Sequence, residues 1–238
     1  MTQSTKDIGL NLLDATEDRG RIVTVERGVM AFNNQIAARL RQRFTDAQTL
    51  VLNVMSSPGS GKTALLGRTL EHFRHQNPAV IVGDIATDND ADRLRVSGAT
   101  TAQIQTNGIC HLEAAMIECA VDAVGLQHRG LLVIENVGNL VYPASYDLGE
   151  KLRVVLLSVT EGEDKPLKYP KAFKGAHTVI INKIDIAEVV GFDLQSARTN
   201  IHLVAPDTPI LEVSARTVAG LENWYAFLNE RLYHADDA

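Results

Sequence analysis

The stretch that most narrows what this chain can fold into is Ser56-Ser57-Pro58-Gly59-Ser60-Gly61-Lys62-Thr63, because the apolar run TLVLNVM ends just before it and the helical pattern ALLGRTLEHF begins just after. A strand that turns through glycines into a helix aims successive backbone N–H groups at one point, and the helix N-terminus adds partial positive charge there. Such a turn is built to hold a phosphate. Gly59, Ser60 and Gly61 line it, Lys62 is placed to reach the β- and γ-phosphates, and the Thr63 hydroxyl is placed for Mg²⁺. This is the Walker A arrangement with one departure, since Ser56 stands where the general pattern has Gly.

The rest of the chain has to supply a sheet for that loop. TLVLNVM, AVIVGD, TAQIQ, GLLVIE, RVVLLSV, TVIINK and PILEVS read as buried strands, with helical patterns between most of them. Alternation of this kind predicts right-handed βαβ units and an α/β fold of the P-loop NTPase type, a mainly parallel sheet with helices on both faces. Ligands of such sheets bind beyond the carboxyl ends of the strands, so the polar residues after each run are the ones to examine. With 238 residues, the chain is long enough for one large core and a short appendage. Residues 1–46 read as an N-terminal helical extension, with Val29, Phe32, Ile36, Ala37 and Leu40 at helical spacing, and residues 47–238 as the main domain.

Base choice is written late in the chain. Asn182-Lys183-Ile184-Asp185 ends a strand in the N-K-x-D pattern, and the Asp185 carboxylate can accept two hydrogen bonds from guanine N1–H and its exocyclic amine, a donor pair that adenine lacks. Ser214-Ala215-Arg216 resembles the S-A-K loop that closes over a guanine base. Between these motifs lie two candidate switch segments. In Gly83-Asp84-Ile85-Ala86-Thr87-Asp88-Asn89-Asp90, Asp84 is expected to hold Mg²⁺ through water, and Asp88 or Asp90 to position an attacking water. In Glu135-Asn136-Val137-Gly138-Asn139, Glu135 reaches Mg²⁺ through water and the Gly138 N–H senses the γ-phosphate. The catalytic set expected is therefore Lys62, Asp84, Asp88, Glu135 and Gly138.

Other classes of function fit poorly. A formal net charge of −6 argues against a nucleic-acid footprint. No basic stretch leads into an apolar run at the N-terminus, no apolar run is long enough to span a bilayer, and the two cysteines, Cys110 and Cys119, do not form a disulfide framework. A cytoplasmic protein with neither nucleic-acid nor membrane partners is expected.

At SSPGSGKTALL, GDIATDNDADRLR, QTNGICHLEAAM, LLVIENVGNLVYPASYDLGE, EDKPLKYPKAF and NKID the sequence resembles the HypB family of hydrogenase-maturation GTPases and, more distantly, UreG. The matching stretches span roughly residues 50 to 216. The resemblance implies GTP hydrolysis coupled to homodimerisation, and nickel handed toward a hydrogenase large-subunit precursor together with a HypA-like nickel chaperone.

The resemblance also implies a metal site at the dimer interface, built from a Cys-His pair and a later Cys. Cys110-His111 keeps the pair, Tyr142 stands at the later Cys position, and Ala115 replaces a histidine that some members carry. Two such ligands from each of two subunits would make a four-coordinate Cys₂His₂ site suited to Zn²⁺ or Ni²⁺. The alternative is a GTP-dependent assembly scaffold or switch without metal. Cys119 is expected in a helix core, the other histidines are assigned no role, and Lys165 or Lys168 could cross a dimer interface to meet phosphate charge.

Overall fold

Every one of the seven apolar runs forms a strand in the computed structural model, which describes residues 14–84 and 89–233, with side chains for 28–83 and 90–232. The strands are β1 (Leu50–Ser56), β2 (Ala79–Asp84), β3 (Thr100–Gln105), β4 (Leu131–Glu135), β5 (Leu152–Ser158), β6 (Thr178–Asn182) and β7 (Ile210–Val213). They form one sheet in the order β3-β2-β4-β1-β5-β6-β7. All pairs are parallel, for example Val54 of β1 against Glu135 of β4 and Val154 of β5. The order reverses at β1, so the loops after β1 and β4 open into the crevice where such sheets bind ligands.

Side-chain alternation along the strands divides the core between the two faces. Leu50, Leu52 and Val54 point one way and pack with Leu65, Leu66 and Leu70 of α2 (Lys62–His72), Leu94 of α3 (Asn89–Arg95), and Trp224 and Leu228 of α8 (Leu221–Tyr233). Val51, Ile81, Leu132 and Ile134 point the other way, against Ile117 and Val121 of α4 (Ala114–Val124) and Ile36, Leu40 and Phe44 of α1 (Asp14–Asp46). A third cluster joins Met55, Val155, Leu157 and Ile181 to Phe173 of α6 (Pro170–Lys174) and Ile201 of α7 (Leu194–Val204). The short α5 (Lys165–Lys168) precedes α6.

The apolar spacing of α1 covers more residues than are buried. Ile36, Ala37, Leu40 and Phe44 are at most 3% exposed, whereas Val29 is 46% and Phe32 62% exposed. The chain divides into two compact units between Phe32 and Asn33, inside this helix. The second half of α1 supplies side chains to the sheet's core. Cys119 corrects another expectation: it is exposed, because the buried positions of α4 are Ala114, Ile117, Ala120, Val121 and Val124, and residue 119 falls on the opposite face. Among the described residues, no helix is long and apolar enough to cross a membrane.

Candidate functional site

The loop after β1 has the geometry that its glycines foretell. Gly61 caps α2 with φ 94°, and a Cβ there would come 2.6 Å from Asn182 Nδ2, so only glycine fits both backbone and neighbour. Asn182, at the end of β6, ties the two nucleotide motifs together: its Nδ2 donates to the Ser60 carbonyl at 2.9 Å, and its Oδ1 accepts from the Ala215 N–H at 3.1 Å. Lys183 extends the tie by donating from Nζ to the Gly59 carbonyl at 2.7 Å. Phosphate loop and base loop are one hydrogen-bonded unit.

Around that unit the candidate catalytic groups converge. Thr63 Oγ1 donates to Glu135 Oε1 at 2.8 Å, so the two oxygens assigned to Mg²⁺ already meet across the crevice between β1 and β4. A cavity of about 460 Å³ is lined by Gly59, Lys62, Thr63, Asp90, Glu135 and Gly138. Gly138 lies against the phosphate loop, where a Cβ would come within 3.2 Å of the Pro58 backbone. Asp90 sits beside Arg93, at 3.3 Å. Asp84 is the last residue of β2, and its side chain and all of Asp88 lie outside the described residues.

Several residues that sequence reasoning left without a role hold this arrangement in place. Ser56, the departure from the general loop pattern, accepts from Lys62 Nζ at 3.0 Å and from Ser60 Oγ at 2.6 Å while donating to the Ser57 carbonyl at 2.8 Å. A glycine could do none of that. Asn53, a lone polar residue inside an apolar strand, accepts from Asn136 Nδ2 at 3.1 Å and donates to Glu150 Oε1 at 3.1 Å. Arg153 closes the chain with two bonds to the same Glu150 oxygen, at 2.9 and 2.7 Å. Asn136 in turn accepts from the Val137 N–H at 2.9 Å, so the loop carrying Gly138 is braced from within the sheet. The signal available in the sequence was the interruption of an apolar strand by Asn53 and the Asn136 that directly follows β4.

At the base loop, Ser214 Oγ donates to Asp185 Oδ1 at 2.6 Å, and Arg216 donates to Asp185 Oδ2. The Ser214 hydrogen bond first, and Arg216 after it, hold the Asp185 carboxyl below the usual carboxylate range, outweighing the opposite effect of burial. Asp185 is therefore an acceptor at neutral pH.

Comparison with known proteins fixes the family. Residues 50–212 match the family described as CobW/HypB/UreG, nucleotide-binding domain. The chain belongs to that family. Its similarity is to the HypB members: it is 47% identical over 209 residues to the hydrogenase maturation factor HypB of Escherichia coli (strain K12), covering 87% of this chain and 72% of that protein. The crystal structure of HypB from Helicobacter pylori in complex with nickel matches with a TM-score of 0.81 at 44% identity, over 85% of this chain and 95% of that one. HypB from Archaeoglobus fulgidus matches with a TM-score of 0.79 at 37% identity, over 85% of this chain and 100% of that one.

Cys110 and His111 lie in the segment before α4. His111 is 13% exposed in its side chain and its ring stacks on Tyr146 at 4.1 Å and beside Tyr142 at 5.8 Å. Neither ring nitrogen has a hydrogen-bond partner, although Nε2 lies 3.4 Å from Glu113 Oε1, a contact without hydrogen-bond geometry. Cys110 is half-buried and in no disulfide, and its carbonyl accepts from Asn139 Nδ2 at 3.3 Å. Asn33 of α1 fixes the segment's end by accepting from the Ala114 N–H at 2.8 Å and donating to the Asp147 carbonyl at 2.8 Å. Among the described residues, no three His, Cys, Asp or Glu gather closely enough to hold a metal within one chain. Lys165 pairs with Glu161 at 3.0 Å and Lys168 with Asp164 at 2.6 Å, so each is held by a carboxylate of its own subunit.

Proposed function

We propose that this protein is a GTP-hydrolysing metallochaperone that dimerises with GTP and assists nickel insertion into a hydrogenase precursor, with a HypA-like nickel chaperone as partner. The observation that carries the reading is the single hydrogen-bonded unit made by the phosphate loop and the base loop through Asn182, with Glu135 and Gly138 facing it. Lys62 and the loop N–H groups neutralise the phosphates, Thr63 and Glu135 fit Mg²⁺, and Asp185 selects guanine. Bound there, Mg²⁺ supplies positive charge to the phosphate oxygens. Loss of the γ-phosphate releases the Gly138 loop, which is the element able to report hydrolysis.

Nickel is the cargo in this reading. The Helicobacter pylori relative binds nickel in its crystal structure, and His111, whose ring nitrogens make no hydrogen bond, and Cys110 beside it would give each subunit two donors of suitable softness. A dimer brings four. The division of the chain into a helical extension, 1–46, and a GTPase domain, 47–238, and a cytoplasmic location belong to the same proposal.

Size-exclusion chromatography with light scattering tests it, run with GDP, and with a non-hydrolysable GTP analogue plus Mg²⁺, each with and without Ni²⁺ or Zn²⁺. The expected outcome is a dimer in the GTP-analogue state that retains metal. A dimer that excludes metal would favour the scaffold function, and a monomer in every nucleotide state would overturn the proposal.

A further inference from the structure

Asp185, on which base selection depends, has its two oxygens engaged from within the chain. Arg216 donates to Oδ2 through Nε at 3.0 Å and Nη2 at 2.7 Å, and Ser214 Oγ donates to Oδ1 at 2.6 Å. The guanidinium edge facing Oδ2 consists of two N–H groups flanking one carbon. Guanine presents the same edge, since N1–H and the exocyclic amine flank C2. The two donors are chemical equivalents aimed at one acceptor.

We propose that Arg216 is an intramolecular competitor of guanine: its guanidinium occupies the base-reading carboxylate and must be displaced by an entering guanine nucleotide, so it weakens binding and speeds release. The proposal rests on the reading of Asp185 as the guanine acceptor. Mobility is unequal between the two partners. The Arg216 side chain is 76% exposed and that of Asp185 only 13%, so the arginine can swing into water while the carboxylate stays. Ser214 keeps it there, its hydroxyl bonded to Asp185 and accepting from the Thr217 N–H at 3.1 Å. A different role, in which Arg216 folds over the bound base and strengthens the complex, has the opposite sign.

The test is equilibrium binding of fluorescent GDP and XDP analogues to the full chain, comparing wild type with Arg216→Ala, Arg216→Gln, Asp185→Asn and Asp185→Asn/Arg216→Ala. Both single Arg216 variants are expected to bind GDP about two- to fivefold more tightly than wild type, the scale of an exposed ion pair, with the gain shrinking at high salt. Asp185→Asn is expected to exchange GDP preference for XDP, and in that background removal of Arg216 is expected to give no gain for XDP, because a neutral amide does not retain the guanidinium. GDP binding that is equal or weaker in both Arg216 variants overturns the proposal, as does a gain that persists for XDP in the Asp185→Asn background. If Asp185→Asn keeps its preference for GDP over XDP, the reading of Asp185 itself fails, and the two failures are thereby distinguished.

Discussion

Lys62 and Ser56 illustrate how one residue's chemistry depends on the group facing it. Lys62 is 9% exposed and its ammonium is bonded to the Ser56 hydroxyl, so it is held inside the loop that a phosphate would enter. Replacing Lys62 with Ala removes a positioned charge from the reacting phosphate, and turnover of GTP, followed as phosphate release, is expected to fall by about a hundredfold or more. His177 offers a pH-dependent counterpart. Burial first, and the neighbouring Arg153 second, hold its imidazole below its ordinary value of 6.5, while its Nδ1 accepts from the Arg153 N–H at 3.0 Å. As pH falls past 6.5 the unfolded chain takes up this proton before the folded one, so stability is lost on the acid side. Urea melts between pH 7 and pH 5 are expected to show a smaller loss for His177→Gln than for wild type, in the order of the proton difference at this one site.

Elements show the same interplay in α1 and in the brace across β1, β4 and β5. Leu40 is fully buried among strand residues, so Leu40→Ala is expected to cost about 2–5 kcal/mol. Phe32, two turns earlier and 62% exposed, should change stability by less than about 0.5 kcal/mol on the same replacement. Equal losses would mean that the helix contributes to the core along a longer stretch. In the brace, the Glu150 side chain is 3% exposed and that of Arg153 17%. Glu150→Leu leaves a guanidinium and the Asn53 amide without their buried acceptor and is expected to cost about 3–5 kcal/mol in denaturant unfolding. Because Asn53 also holds Asn136, the substitution should slow GTP turnover more than it weakens GDP binding.

Across the whole molecule, the phosphate cavity and the Cys110-His111 segment are linked by Asn139, which follows Gly138 directly and donates to the Cys110 carbonyl. In the proposed nickel site a single chain would offer two donors, Cys110 and His111, and a closed four-coordinate site would need a second copy. Nickel titration is expected to reach about one ion per two chains in the GTP-analogue state and to collapse in Cys110→Ser. Retention of metal by that variant would move the site elsewhere. Only a difference in affinity between monomer and dimer can drive such a switch, so nickel and the GTP analogue should each tighten binding of the other.

Much of this was legible in the order of residues, for reasons that are local. Seven apolar runs separated by helical patterns can be buried only as a parallel sheet covered on both faces, and a glycine turn between strand and helix, followed by Lys62-Thr63, dictates a phosphate loop through backbone geometry alone. The N-K-x-D motif carries the proposed choice of guanine in the donor pattern of that base. What tertiary structure decided are contacts between residues far apart in the chain: Asn182 bonded to Ser60, Asn53 bonded to Glu150, Arg216 laid on Asp185. Periodicity placed Cys119 on a helix without saying which face met the core, and it marked an apolar stripe on α1 without saying where along the helix burial begins. Both depend on which neighbouring element comes to cover the surface, and that is settled when the sheet and its helices pack together.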